Sequence, residues 1–258
     1  MTRRLFIGDV HGHYDGLMQL LDKIALTDQD RLYFVGDLID RGPKSAQVVK
    51  FVRHRADGCV LGNHEQLLLE AFPQDGAHLP MLQGWLYSGG QATLSSYGEV
   101  EDLLKDIDWI RGLPLYLDLD DVWLVHAGVN PKLPVEKQTQ QDLCWIRNAF
   151  HSSTEAYFAD KLIITGHTIT FTLPGVAPGQ IAQGRGWLDI DTGAYHPKSG
   201  WLTAVDLDNA LVHQVHVVQG TLRSRPLSEA VYTIKPAQIR PRRSQIPAKS
   251  AAKVIAKT

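Results

Sequence analysis

The chain has 258 residues, of which 44% fall in the hydrophobic set and 21% are charged, an ordinary globular composition with enough apolar material for one large core or two small ones. A net charge of −2 gives no reason to expect a nucleic-acid binder, and no uninterrupted apolar stretch approaches the length that crosses a bilayer. The first apolar run, Leu5-Phe6-Ile7, is too short for a signal-peptide core, so cytoplasmic residence is the expectation, and Cys59 and Cys144, far apart and without Cys-x-x-Cys spacing, exclude a disulfide framework.

Leu5 to Gly8 reads as a short buried strand, after which Leu17, Leu20, Leu21 and Ile24 recur at the spacing of one helical face. That stripe is helix packing, not a groove for a partner. Leu32 to Val35 gives a second strand, Val48 to Val52 a second helix, Cys59 to Leu61 a third strand and about 64 to 72 a third helix. The βαβαβ order predicts a parallel sheet with helical crossovers. Residues 76 to 98 are rich in Gly and break this rhythm, and Val100, Leu103, Leu104 and Ile107 resume a helix, so 76 to 110 reads as an excursion beside the active face. In the second half, 115 to 119 with 122 to 125, and 202 to 205 with 211 to 218, flank Asp120-Asp121 and Asp208-Asn209 as hairpins. A parallel half followed by an antiparallel half predicts an α/β fold of two sheets packed face to face with helices outside. One domain over 1–234 is expected, followed by 235–258, which carries seven Lys or Arg, three Pro and no acid and reads as a disordered basic tail.

Five apolar strands end in ligand-type residues: Gly8-Asp9-Val10-His11-Gly12, Gly36-Asp37, Gly62-Asn63-His64-Glu65, His126-Ala127-Gly128 and Gly166-His167. In open α/β sheets the ligand site lies beyond the carboxyl ends of strands, so five such exits can converge on one crevice, with the neighbouring glycines giving the turns room. Asp9 and His11, two apart on an extended exit, point to the same side and can hold one ion. Carboxylate, amide oxygen and imidazole without thiolate suit Mn²⁺, Fe or Zn²⁺. Six ligands, Asp9, His11, Asp37, Asn63, His126 and His167, exceed what one catalytic ion with an open position takes, so two ions bridged by Asp37 are expected. A water made acidic by both cations would then attack phosphorus directly, without a phosphoenzyme. Arg41 and Arg147 are suited to clamp phosphate oxygens bidentately, Asn63 lies beside them, and His64 can protonate the leaving oxygen if Asp40 orients its ring.

At this point the chain resembles the PPP-type metallophosphoesterases, and among them the bacterial and phage lambda-type protein-serine/threonine phosphatases. The pattern GDxHG, GDxxDRG, GNHE, HAG and GH is met by Gly8 to Gly12, Gly36 to Gly42, Gly62 to Glu65, His126 to Gly128 and Gly166-His167. The resemblance implies a four-layer αββα sandwich of two mixed sheets, Mn²⁺ activation, a first ion on Asp9, His11 and Asp37, and a second on Asp37, Asn63, His126 and His167. Softer matches are Trp85 to Gly90, Trp145 to Arg147 and Asp191-Thr192-Gly193. Trp85, Gly89 and Gly90 read equally as a turn beside a packed aromatic and are not assigned to the site. Symmetrical diadenosine-tetraphosphate hydrolases are close relatives that typically show GNHD and lack the Asp of GDxxDRG. Glu65 and Asp40 therefore favour monoester chemistry.

The expectation is thus a phosphatase acting on phosphoserine or phosphothreonine in proteins, with phosphotyrosine or a small phosphorylated molecule as further substrates. A dinucleoside-polyphosphate hydrolase is the alternative, and a non-catalytic scaffold a third reading that the full ligand set disfavours. His213 and His216, on opposite faces of a strand, read as ordinary strand residues, and His13, His54, His78, His151 and His196 as surface positions. The oligomeric state is not readable.

Overall fold

Alternation along the first strand, β1 (Arg4–Ile7), sets the layering: Leu5 and Ile7 enter one apolar cluster and Phe6 another. The computed structural model describes residues 2–74 and 76–239. The Leu5 and Ile7 cluster is closed by α1 (Tyr14–Ile24), α2 (Ser45–Arg55) and α3 (Asn63–Ala71), and by α6 (Val100–Arg111), which follows α4 (Leu79–Trp85) and α5 (Gln91–Ser96). From α1 the contributors are Leu17, Leu20, Leu21 and Ile24, all buried, as their spacing predicts. Fully burying each such side chain contributes about 1.5–3 kcal/mol, so this stripe is what holds α1 on its sheet.

Phe6 instead meets a second sheet. The remaining strands are β2 (Arg31–Phe34), β3 (Gly58–Cys59), β4 (Tyr116–Leu119), β5 (Val122–Val125), β6 (Leu162–Thr165), β7 (Ile181–Gly184), β8 (Trp187–Asp189), β9 (Trp201–Asp206), β10 (Leu211–His216), β11 (Leu222–Pro226) and β12 (Val231–Thr233). The first sheet runs β11-β10-β9-β1-β2-β3 and the second β12-β7-β8-β6-β5-β4. Between them lie Phe6, Val35, Val122, Leu124, Ile164, Leu188, Val205 and Val212. Trp123, Val125, Ile163 and Trp187 face the other way, against Leu143 of α7 (Gln140–Trp145) and Phe150 of α8 (Asn148–His151). Helix, sheet, sheet and helix therefore stack as four layers.

The parallel and antiparallel pairings are not split between halves of the chain. β1, β2 and β3 are parallel, yet β9, β10 and β11 add to the same sheet antiparallel; β5, β6 and β8 are parallel, with β4 and β7 antiparallel at their sides. The sequence reading misses β7, β8, β11 and β12 because three to five residues, several of them polar or Gly, show no usable alternation. Pro236–Gln238 forms a short 3-10 turn and Ile239 is buried in the outer cluster of the second sheet; the rest of the expected basic tail, from 240 onward, lies outside the described residues. No helix among the described residues is long and apolar enough to cross a membrane.

One buried carboxylate ties the two halves of the parallel ladder together. Glu65, in the first turn of α3, accepts from the amides of Asp37 at 2.8 Å, Leu38 at 2.8 Å, Ile39 at 3.3 Å and Gly62 at 3.0 Å. It is fully buried. Replacing Glu65 by Ala leaves four amides without a partner, and stability should fall by about 3 kcal/mol or more, read as a lower urea midpoint. A loss under about 1 kcal/mol would show that water or a shifted backbone satisfies those amides instead.

Candidate metal centre

Both sheets present the carboxyl ends of their parallel strands to the same end of the sandwich. Asp9 follows β1, Asp37 follows β2, Asn63 opens α3 after β3, His126 follows β5 and His167 follows β6. The exits are sharply bent: His11, Asp37 and His167 hold φ of 45°, 48° and 68°, and Asp40 and Arg41 hold 72° and 70°. Left-handed backbone is disfavoured for residues with a Cβ by about 1–3 kcal/mol each and persists only where its surroundings enforce it. Interlocking amides do so here, since Val10 and His11 donate to the Asp37 carbonyl and Gly42 to that of His11.

The six predicted ligands converge. Asn63 Oδ1 lies 2.7 Å from His167 Nδ1 and 3.0 Å from His126 Nε2. Asp37 Oδ1 is 3.4 Å from His126 Nε2, and its Oδ2 is 3.6 Å from His11 Nε2. The outer nitrogen of each ring is committed to a backbone carbonyl: His11 Nδ1 to Ile39 at 2.9 Å, His126 Nδ1 to Val35 at 2.7 Å and His167 Nε2 to Trp145 at 3.3 Å. With the ring protons turned outward, the inner nitrogens, the amide oxygen and the carboxylates all face each other as acceptors. Acceptors crowd together in this way around a cation. Two triplets, His11 with Asp37 and His64, and Asp9 with Asp37 and His126, bring their ligand atoms within 4.8 Å of one another and share Asp37. Shared Asp37 fits two divalent ions bridged by that carboxylate, although these triplets place His64 with His11 and Asp9 with His126, a grouping different from the one the resemblance implies.

Electrostatics agree. Burial lowers His11 and His167 well below the ordinary imidazole range and lowers His126 too, so the rings are neutral, as a ligand must be. Burial alone would raise Asp37, yet it is held low; with His11 and His126 neutral, the groups that favour its charged form are His64, itself raised, and the His64 amide, which donates to Asp37 Oδ1 at 3.0 Å. Asp9 is pushed well up, by burial first and then by Asp191, Asp37 and Asp189. This excess of buried acid is what a pair of cations would relieve.

His64 stands beside the centre, and its Nδ1 lies 2.6 Å from Asp40 Oδ2. Asp40 is fully buried and also accepts from Thr93 Oγ1 at 2.7 Å and from Trp85 Nε1 at 3.0 Å. Burial would lower His64, but Asp37 and the Asp40 hydrogen bond raise it. Its Nε2 is 2.9 Å from Arg41 Nη2, and the Arg41 guanidinium stacks 3.9 Å above the Tyr195 ring. Arg147 donates to the His167 carbonyl at 3.0 Å and to Thr168 Oγ1 at 3.2 Å.

Several residues at the centre are left unassigned by the sequence reading or placed elsewhere by it. Trp85 is a completely buried support for Asp40, not a bystander. His151, expected on the surface, is buried and pairs with buried Asp189 at 3.1 Å, while His196 lines the cleft. Asp191, raised to about 6 mainly by burial, also lines it. The signal for these last residues is a further strand exit, since β8 lies parallel to β6 and ends in Asp189-Ile190-Asp191-Thr192-Gly193.

The calcineurin-like phosphoesterase family model matches residues 2–189. A protein of Shigella dysenteriae named symmetrical bis(5'-nucleosyl)-tetraphosphatase is 33% identical over 164 residues, 60% of this chain and 53% of that protein. A Cronobacter sakazakii protein of the same name is 36% identical over 144 residues, 53% of this chain and 47% of that protein. The chain thus spans about half the length of the curated relatives it matches. A solved cold-active protein tyrosine phosphatase shares the fold, with a TM-score of 0.55 and 19% identity over 87% of this chain and 78% of its own.

These relatives correct the expectation of a protein-serine/threonine phosphatase and favour the dinucleoside-polyphosphate alternative. The reason the sequence misled is visible. Glu65 points at backbone amides and Asp40 at His64, Trp85 and Thr93, so neither faces the cleft as a determinant of substrate.

A methyl group on Gly166 would collide with Asp9 Oδ1. Gly166→Ala should therefore weaken metal binding about 10- to 100-fold, by analogy with other changes that disturb ligand orientation, as measured by chelator competition. Unchanged affinity would remove Asp9 from the ligand set.

Proposed function

Because the chain belongs to the calcineurin-like phosphoesterase family, we propose that it is a metal-dependent hydrolase of symmetrical dinucleoside polyphosphates, with diadenosine tetraphosphate as the representative substrate. The observation that carries this reading is the 33–36% identity to proteins named symmetrical bis(5'-nucleosyl)-tetraphosphatase. The cleft supports it: about 490 Å³ open over His11, Asp37, Asn63 and His167, in the range of pockets that take drug-sized ligands. Residues 1–234 serve as one catalytic unit in this reading.

Asp9, His11 and Asp37 would hold one ion and Asp37, Asn63, His126 and His167 the other, with Mn²⁺ the metal of choice and Fe or Zn²⁺ compatible. When bound, such ions polarise phosphoryl oxygens and lower the pKa of water from about 15.7 to roughly 7. Arg41 and Arg147 bind the phosphate chain through charge-assisted hydrogen bonds. The water oxygen bonds to phosphorus as the bridging P–O bond breaks, and the departing oxygen belongs to a nucleoside diphosphate. His64 serves that oxygen. Its Nδ1–H is held by Asp40, and its Nε2 accepts from Arg41, so Arg41 must turn toward the incoming phosphates before Nε2 can carry a proton to the leaving group.

A diphosphate is a far better leaving group than an alkoxide, because its conjugate acid has a pKa near that of a phosphate, about 6. The demand on His64 is correspondingly mild. Metal-stripped protein resupplied with Mn²⁺ should release ADP from diadenosine tetraphosphate in preference to phosphate from a phosphoserine peptide; the opposite preference would sink the proposal. His64→Asn should retain both ions and lower turnover of the dinucleotide by less than the 10²- to 10⁴-fold typical of a lost general acid. Full turnover in the metal-loaded variant would show that His64 does not handle the proton.

A further inference from the structure

A second recess of about 540 Å³ opens on the other side of the same wall. Arg41, Asn63, His64, Arg147 and Tyr195 line both recesses. Beyond that shared wall the two differ. The first runs toward Ile169, Thr172, Leu173 and His196, and the second toward Leu67, Trp145 and the turn carrying Tyr87, Ser88 and Gly89. The phosphate clamp and proton-handling group thus stand where the two recesses meet, with Ile169 and Leu173 in one and Leu67, Tyr87 and Trp145 in the other.

Tyr87 is the feature that packing does not explain. It is 95% exposed, although it sits between Trp85, which is completely buried, and Gly90, whose Cα lies against the Trp85 ring. The turn that carries it is rigidly placed. Gly89 takes a φ of 118°, which a residue with a Cβ rarely adopts, and its carbonyl accepts from the Arg41 amide at 3.1 Å. The backbone that carries the ring is therefore held in register with Arg41, while the ring itself stands in water. A flat aromatic face held in water at the edge of a polar cleft is what a nucleobase stacks on.

Resting on the reading above, we propose that the two recesses receive the two nucleoside halves of the substrate, with the bond to be broken over the shared wall and Tyr87 the stacking platform for one base. Cleavage into equal halves follows from this placement. A chain of four phosphates with a nucleoside in each recess brings its middle, and not an end, to the metal ligands and Arg41. Recognition of the base by a π face also makes the subsite tolerant of base identity, since every base offers one.

The test compares wild type, Tyr87→Ala and Tyr87→Phe, all loaded with Mn²⁺, on diadenosine tetraphosphate and on p-nitrophenyl phosphate. Tyr87→Ala should raise KM for the dinucleotide about ten-fold with kcat within two-fold of wild type, so that the preference for dinucleotide over the small ester falls by the same factor. Tyr87→Phe, which keeps the ring, should restore KM. A KM for the alanine variant within two-fold of wild type would overturn the platform assignment alone. A wild-type enzyme that cleaves the small ester but not the dinucleotide would overturn the proposed function and this assignment together. A KM that stays raised in the phenylalanine variant would place the effect on the hydroxyl and reject stacking.

Discussion

The geometry of the centre hangs on a carboxylate that faces backbone amides and not the cleft. Glu65 is buried where an ionised group costs several kcal/mol unless it is well bonded, and four main-chain amides provide that bonding. Three of them belong to consecutive residues, Asp37, Leu38 and Ile39, so the chain leaving β2 is folded over the start of α3 and cannot extend. The left-handed turns at Asp37, Asp40 and Arg41 follow from that anchorage. They send the Asp37 carboxylate toward the imidazoles, Asp40 back onto His64 and Arg41 across Tyr195. Strain of this kind at an active centre is tolerated because rigid surroundings over-determine it.

Charge is the complementary constraint. Asp9, Asp37, Asp189 and Asp191 are buried near one another, and the facing rings are held neutral, so the centre is built as an electron-rich hollow before any cation arrives. Its carbonyl-anchored imidazoles mean that little reorganisation is needed on binding. Nothing in this inner arrangement selects between esters and anhydrides. A solved protein tyrosine phosphatase shares the fold, so the fold by itself does not fix the substrate.

What could be read from the amino-acid sequence divides along the same line. The candidate ligands were legible as a cluster because they sit at five strand exits, each with a Gly within two residues, and the fold brings those exits together. The four layers were legible as a family resemblance, and the helical stripe of α1 as periodicity. Mixing of the sheets was not, because β7, β8, β11 and β12 are too short to show a pattern and because pairing partners are distant. Trp85, His151 and Asp189 act through buried hydrogen bonds to residues far along the chain, which spacing does not encode. Glu65 was legible as a motif letter but not as an amide anchor, and taking it for a substrate determinant led toward the wrong phosphate.

The pairing of β1 with β9 bears on how the protein comes into being. β1 lies inside its sheet only because Leu5, Phe6 and Ile7 register with Asp206, Val205 and Ala204, and the amide of Gly8 donates to Thr203. During synthesis β1 is therefore an open edge until about two hundred further residues have left the ribosome, with the apolar side chains destined for the space between the sheets uncovered beside it. Such long-range closure is slow relative to helix formation. β9 is thus the strand that seals the first, and the interval before it emerges is when a nascent chain is most open to mispairing with its neighbours.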